Sequence, residues 1–121
     1  MFDGDDLDAA EQRVDDWQAG LEQRAAEARE MASRLAELSA SARSEDKLVT
    51  VTVDATGVTG LELAEGIRKQ PAADTAAAIL ATIRAARGKL TEAVTVVAEE
   101  TVGADSETGQ AVIASYAKRN G

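Results

Sequence analysis

The stretch LVTVTVDATGVTGLEL, residues 48–63, decides the fold because valine recurs at every second position from Val49 to Val53. This period is typical of a strand packed on one face, with valine on one side and threonine on the other. Residues 54–57 carry a turn signal, and Gly57 stands where a positive φ is favoured. The stretch therefore predicts a β-hairpin, and Gly60 indicates a bulge or a close backbone approach in the second strand. A further extended segment at residues 66–69 would complete a three-stranded antiparallel meander.

Residues 6–42, before the hairpin, lack proline and carry apolar residues at alternating spacings of three and four. This pattern is sustained for about five heptads, so it predicts a long helix with a seam like that of a coiled coil. Arg24 lies in the seam either as a snorkelling stem or as a polar residue that sets the register. The seam residues are Leu7, Ala10, Val14, Trp17, Leu21, Arg24, Ala28, Met31, Leu35, Leu38 and Ala42.

A second helix is predicted after Pro71, where Asp74 or Thr75 is placed to cap it, and it runs to about Thr101. Gly88 inside this helix is expected to permit close approach of another helix. Residues 104–121 are predicted as a short helix or a tail that uses Val112, Ile113 and Tyr116. The expected buried stripe of the second helix is Ile79, Ile83, Ala86, Leu90, Val94 and Val97.

The composition limits how much apolar surface one copy can bury. Apolar residues make up 45% of the 121 residues but aromatic residues only 2%, so the core must use small aliphatic side chains. This length has room for one domain with a modest core. We therefore expect a single α+β domain over residues 1–121, with an acidic leader at 1–6, and self-association that supplies the missing burial.

Residues suited to catalysis are scarce. The sequence contains neither cysteine nor histidine, which excludes disulfides, thiolate chemistry and the usual general base and zinc ligand. GKLT at residues 88–91 lacks the upstream glycine of a phosphate-binding loop, and the neighbours Glu99 and Glu100 diverge on a helix. We expect no enzyme activity, no cofactor and no metal site. No apolar run is long enough for a membrane span, so a cytoplasmic protein is expected.

The charge distribution opposes nucleic-acid binding overall. The net charge is −9, and residues 1–46 hold 13 of the 22 acids but only 5 of the 13 bases. The global field therefore repels phosphates, and binding would depend on local groups of cations. The candidate DNA-binding residues are Arg68, Lys69, Arg84, Arg87, Lys89, Lys118 and Arg119.

The order of these elements, with LVTVTVDATGVTGLELAEG and ADTAAAILATIRAARGKLTEA at its centre, resembles the YbaB/EbfC family of bacterial nucleoid-associated proteins. The resemblance covers residues 7–101 or so and implies a homodimer in which the strands of two copies meet and the long helices project as arms. It also implies binding of double-stranded DNA with low sequence specificity, in the nucleoid. The expected dimer interface is Val49, Val51, Val53, Val58, Leu61 and Leu63.

The charge of the first helix departs from this family picture. A helix with an excess of acids will not cradle phosphates, so DNA binding is expected to be weak and steeply dependent on salt. The resemblance assigns no DNA-contacting residues, because no shared motif lies at the basic positions. The alternative is a protein-interaction scaffold or chaperone, linked to specialised secretion, that grips a partner protein and binds no DNA.

Overall fold

The computed structural model describes residues 4–120, with side chains described for residues 6–119. It confirms the predicted α+β class: a long N-terminal helix, a three-stranded antiparallel sheet of order β1-β2-β3, a second long helix and a short C-terminal helix. The elements in chain order are α1 (Gly4–Ala36), β1 (Ser39–Arg43), β2 (Val49–Asp54), β3 (Gly57–Leu63), a 3-10 helix (Glu65–Lys69), α2 (Ala72–Thr101) and α3 (Glu107–Asn120).

The predicted hairpin forms as β2 and β3. Valine side chains alternate into the core along β2, where Val49, Val51 and Val53 are at most 1% exposed. Gly57 has a φ of 128°, a conformation that glycine adopts without steric cost. Thr52 pairs with Gly60, whereas Val53 pairs with Val58, so the register of the two strands shifts at this point. The predicted bulge is therefore confirmed.

The third strand precedes the hairpin, and the predicted extended segment at residues 66–69 is wrong because Glu65–Lys69 forms a 3-10 helix. β1 pairs with β2 along its whole length, and Ala42 lies opposite Val51. Alternation of Leu38, Ala40 and Ala42 toward the core is a period-two signal, but alanine and serine make it weak. Leu38 and Ala42 also continue the heptad spacing of the first helix, which explains why this strand was not predicted.

The predicted first helix, residues 6–42, is therefore too long. α1 ends at Ala36, and Leu38 follows in the short connection to β1, so the seam residues Leu38 and Ala42 lie outside the helix. Both nevertheless contribute to the core, where Ala42 is buried and Leu38 packs against the buried cluster. Of the predicted acidic leader at residues 1–6, residues 1–3 lie outside the described part of the chain. Residues 4–6 belong to α1.

α2 covers β1 and β2 and supplies the other half of the core. The predicted stripe faces the sheet: four of its residues are buried, and Ile79 and Ile83 pack against the buried cluster as half-buried neighbours. α3 packs on α2 and brings Tyr116 to the same cluster. The buried apolar residues among those described are Met31, Ala42, Val49, Val51, Val53, Ala86, Leu90, Val94, Val97 and Ala98.

The start of α2 corrects the predicted caps. The helix begins at Ala72 with Pro71 in the N-cap position, so Asp74 and Thr75 lie in its first turn and do not cap it. The Thr75 hydroxyl instead accepts a hydrogen bond of 2.8 Å from the side-chain amide of Gln70. Proline is well suited to the beginning of a helix because its missing N–H and its constrained φ cost nothing there.

The predicted dimer interface divides into two groups. Val49, Val51 and Val53 fill the core of their own chain beneath α2, and their part in a contact with a second copy stays a prediction. Their cross-strand partners Leu63, Leu61 and Val58 lie on the same face of the sheet but beyond the cover of α2. These three β3 side chains are 42%, 48% and 45% exposed and form what we call the β3 patch.

The seam of α1 also divides into two parts. Toward the C-terminal end of the helix, Met31 is buried, Leu35 is half-buried, and Arg34 forms an ion pair with Glu100 of α2. Residues 4–23, which we call the arm, show the opposite behaviour. Four large apolar side chains of the arm are 42–63% exposed: Leu7, Val14, Trp17 and Leu21. The predicted seam is therefore covered only in its inner half.

Two glycines give opposite predictions for the free energy of unfolding. A Cβ at Gly109, near the start of α3, would lie 2.3 Å from the carbonyl oxygen of Gly103, so Gly109→Ala is expected to destabilise the fold by about 1–3 kcal/mol. A Cβ at Gly88 would meet nothing within 4 Å, contrary to the predicted close helix approach within this chain. Gly88→Ala is therefore expected to stabilise it by about 0.5–1 kcal/mol. Urea denaturation of both variants measures the difference, and shifts of the same sign would contradict it.

Candidate nucleic-acid interface

The seven candidate DNA-binding residues lie in separate parts of the structure. Arg68 and Lys69 lie on the 3-10 helix after β3, three bases lie on α2, and Lys118 and Arg119 lie on the last turn of α3. The fold brings only Arg87 and Arg119 to one cleft. The candidate nucleic-acid interface is built around these two guanidinium groups.

This cleft, which we call the hairpin cleft, has a volume of about 350 Å³ and lies between the β2–β3 turn, α2 and α3. Arg87 reaches it from the middle of α2, one turn before the core residue Leu90. Arg119 reaches it from α3, with its guanidinium carbon 5.3 Å from the centre of the Tyr116 ring. The cleft residues are Asp54, Ala55, Thr56, Gly57, Arg87, Leu90, Tyr116 and Arg119.

The turn at the edge of the cleft is closed by a carboxylate. An Asp54 carboxylate oxygen accepts hydrogen bonds from the Thr56 backbone N–H at 2.8 Å and from the Thr56 hydroxyl at 2.6 Å. The hydroxyl bond and then the backbone bond hold the pKa of Asp54 below its usual value. The carboxylate therefore stays ionised at neutral pH and serves its own turn.

Acid is expected to loosen this turn. Because the pKa of Asp54 is lower in the folded chain than its ordinary value of 3.8, the hydrogen bonds of the ionised carboxylate stabilise the turn above that pH. They are lost as the pH falls through the folded pKa. The backbone amide resonance of Thr56, followed by NMR from about pH 5 to pH 2, should titrate with a midpoint below 3.8. Asp54→Asn is the control and should abolish the titration. A midpoint above 3.8 in the unmodified protein would contradict the assignment.

Two guanidinium groups from different elements form a cationic site with specific chemistry. Arginine keeps its charge at all relevant pH values and presents planar N–H donors that match phosphate oxygens. Tyr116 lies beneath Arg119 and favours one orientation of that side chain through a cation–π contact. The arrangement can bind the phosphate backbone, and phosphate contacts carry affinity without reading sequence.

The remaining bases are distributed over other surfaces. Arg68 forms an exposed ion pair with Glu65 at 3.1 Å, and Lys69 is exposed beside it. Lys89 donates a hydrogen bond of 3.3 Å to the carbonyl oxygen of Ser41 on β1. Arg84 lies one turn before Arg87 on α2, and the i,i+3 spacing places it on the same side of the helix. Lys118 is exposed next to Arg119 on α3.

Sequence reasoning missed the contribution of the hairpin turn and of Tyr116 to this site. The turn residues were identified, but only for their geometry, and Tyr116 was identified only as an apolar contact of the last helix. A usable signal existed in the spacing of Tyr116 and Arg119, since residues three apart on a helix are neighbours. Nothing in the sequence pattern indicated that the end of α3 meets the β2–β3 turn.

Over residues 6–119 no group of three or more acidic side chains is arranged to hold a metal ion. Within that range no helix has both the length and the apolar character needed to cross a membrane.

The comparisons with known proteins bear directly on this fold. A model of the YbaB/EbfC DNA-binding family matches residues 11–105, which include most of α1, the whole sheet and all of α2. No curated protein and no solved structure matched the chain. The family match spans well over half of the 121 residues and agrees with the resemblance seen in the hairpin and α2 segments. The chain therefore belongs to the YbaB/EbfC DNA-binding family.

Proposed function

We propose that this protein is a non-enzymatic, nucleoid-associated protein of the bacterial cytoplasm that binds double-stranded DNA as a homodimer. The observation that carries the proposal is the family match over residues 11–105. The hairpin cleft supports it, because Arg87 and Arg119 provide two cations on one surface of an otherwise acidic chain. Arg84 and Lys118 extend this cationic surface along α2 and α3.

Low sequence specificity follows from the kind of contact that this surface can make. Arginine and lysine side chains around a cleft can bind phosphate oxygens. Such contacts position a protein on DNA without distinguishing base pairs. The net charge of −9 opposes the approach of DNA, so affinity is expected to be modest and to fall steeply with salt. The bases on the 3-10 helix and Lys89 are secondary contacts in this proposal.

Homodimerisation is supported by the sheet. β3 is an edge strand of seven residues, and no other strand within residues 4–120 pairs with its outer side. Exposed edges of this kind pair readily with a second strand, and the β3 patch adds three exposed apolar side chains to the same edge. The opposite edge, β1, is shorter and carries serine and arginine, which makes it the less suitable edge.

The proposal is tested by equilibrium binding to labelled duplexes. Two duplexes of equal length, one rich in A·T and one rich in G·C, are titrated by fluorescence anisotropy at several salt concentrations. We expect saturable binding at low salt, affinities for the two duplexes within about threefold, and a logarithmic salt slope of about −2 or steeper for two or more phosphate contacts. Absence of binding to either duplex at micromolar protein in low salt would refute DNA binding.

A further inference from the structure

The arm of α1 carries an apolar stripe that no part of the described chain covers. Leu7, Val14 and Leu21 recur at intervals of seven residues, and Ala10 and Trp17 follow the first two at intervals of three. This spacing produces the row of knobs that packs against a second helix. We call these five residues the outer seam. Its large members remain about half exposed or more.

The outer seam continues a surface that already binds a helix in this protein. Farther along α1 the same two rows, interrupted by the exposed Arg24, reach Ala28, Met31 and Leu35, where α1 contacts α2 and Met31 is 5% exposed. At the arm the row of Ala28 carries the larger Leu21 and the row of Met31 carries Trp17, yet α2 does not cover them. A shallow groove there is lined by Leu7, Ala10 and Val14 and bordered by acids.

The charges beside the outer seam distinguish between the possible occupants. Residues 6–23 contain six acids and one base, Arg13. At about 100° of rotation per residue, the flank next to the row of Leu7, Val14 and Leu21 contains no base at all. That flank is formed by Asp8, Glu11, Asp15, Gln18 and Glu22.

A second arm is a poor occupant of this surface. Two copies paired along their outer seams would place one uniformly acidic flank against another acidic arm, and like charges beside a helix seam oppose association. A helix with an apolar stripe flanked by lysine and arginine would bind favourably for two reasons. It would bury the exposed apolar side chains, and its bases would pair with the acids of the flank.

We propose that the outer seam is a docking site for a basic amphipathic helix of another protein. The site is separate from the hairpin cleft, so the protein can engage DNA and a protein partner through different surfaces. The apolar residues supply the contact area, and the acidic flank selects a basic partner and rejects an acidic one.

Trp17 provides a direct readout of docking. It is the single tryptophan of the chain, and it is 63% exposed on the outer seam. The probe is a synthetic tryptophan-free peptide of about three heptads with leucine at the seam positions and lysine at the flanks. Titrating it into the full-length protein should shift the Trp17 emission to shorter wavelength in a saturable manner. The same peptide with glutamate at the flanks should bind at least tenfold more weakly.

Matched variants separate seam docking from general attraction to an acidic protein. Val14→Asn should weaken binding of the lysine peptide at least tenfold, whereas Ala19→Asn, on the face of α1 away from the row of Leu7, Val14 and Leu21, should leave it unchanged. Glu11→Gln combined with Asp15→Asn should weaken it severalfold and reduce its salt dependence. All variants should keep the helical circular dichroism of the unmodified protein. Val14→Asn and Ala19→Asn, which leave the net charge unchanged, should also keep its DNA affinity.

Three results would overturn the proposal. The first is equal affinity for the lysine and glutamate peptides, and the second is an equal effect of Val14→Asn and Ala19→Asn. The third is a concentration-dependent blue shift of Trp17 without any peptide, because it would assign the outer seam to a second copy of this chain.

Discussion

Leu61→Glu is expected to sediment as a monomer at concentrations at which we expect the unmodified protein to sediment as a dimer. Leu61 is central in the β3 patch and 48% exposed, so the charge is tolerated in the separate chain but would be buried against a second copy. Burial of an unpaired carboxylate at an interface is strongly unfavourable. We expect the dimer dissociation constant to rise by about 100-fold or more, which corresponds to about 2.8 kcal/mol. Analytical ultracentrifugation over a dilution series measures this change.

The matched control for this variant is Glu62→Gln on the same strand. Successive strand residues point to opposite faces, so Glu62 pairs with Thr50 on the polar face and lies away from the β3 patch. This variant should keep the dimer, and both proteins should keep their secondary structure by circular dichroism. If Leu61→Glu and the unmodified protein dissociate with the same constant, the proposed use of β3 in the dimer is wrong.

Loss of the dimer should also reduce DNA affinity. A dimer holds two hairpin clefts in one particle, and linking two weak sites raises the overall affinity without any new contact. Leu61→Glu adds one negative charge and Glu62→Gln removes one, so the salt slope, which reports the number of phosphate contacts, is the quantity to compare. This slope should be shallower for Leu61→Glu than for Glu62→Gln. An unchanged DNA affinity in a verified monomer would show that one chain suffices.

Combined replacement of Arg87 and Arg119 by glutamine is expected to have the largest effect on DNA binding. Each lost phosphate contact makes the logarithmic salt slope shallower by about 0.9, so the double variant should lose about 1.8 per chain that contacts DNA. Affinity at low salt should fall by about 10- to 100-fold, almost equally for duplexes of different sequence. Fluorescence anisotropy with the two duplexes used for the unmodified protein provides both quantities.

The comparison variant replaces Arg68 and Lys69 by glutamine. It removes the same formal charge from the chain, but the two residues lie on a short 3-10 helix outside the hairpin cleft. We expect a smaller loss of affinity than for the Arg87 and Arg119 pair. Equal losses in the two double variants would mean that net charge alone, and not the cleft, governs binding.

The hairpin could be predicted from sequence because its signals are local. Alternating valines, the turn residues and Gly57 each act within a few positions, and together they leave one arrangement for residues 48–63. The strand before it could not be recognised in the same way. Ser39–Arg43 is built from small residues whose preference is weak, and it becomes a strand through its pairing with β2.

The sequence pattern also could not predict which apolar faces are covered by other elements. Val51 and Leu61 lie on the same face of the sheet as cross-strand partners, yet one is fully buried and the other is half exposed. Likewise Met31 and Val14 share the seam of one helix but differ in exposure. The difference arises from the position of α2, which covers two strands and the inner end of α1.

By itself, the sequence determined the hairpin, the buried valines of β2, the two long helices and the resemblance to the YbaB/EbfC family, since these depend on periodicity over short segments. Only the tertiary structure decided that Arg87 and Arg119 share a cleft and that the outer seam and the β3 patch stay uncovered. The physical reason is that periodicity identifies which residues share a face of one helix or strand, whereas what covers that face depends on packing between segments distant in the chain.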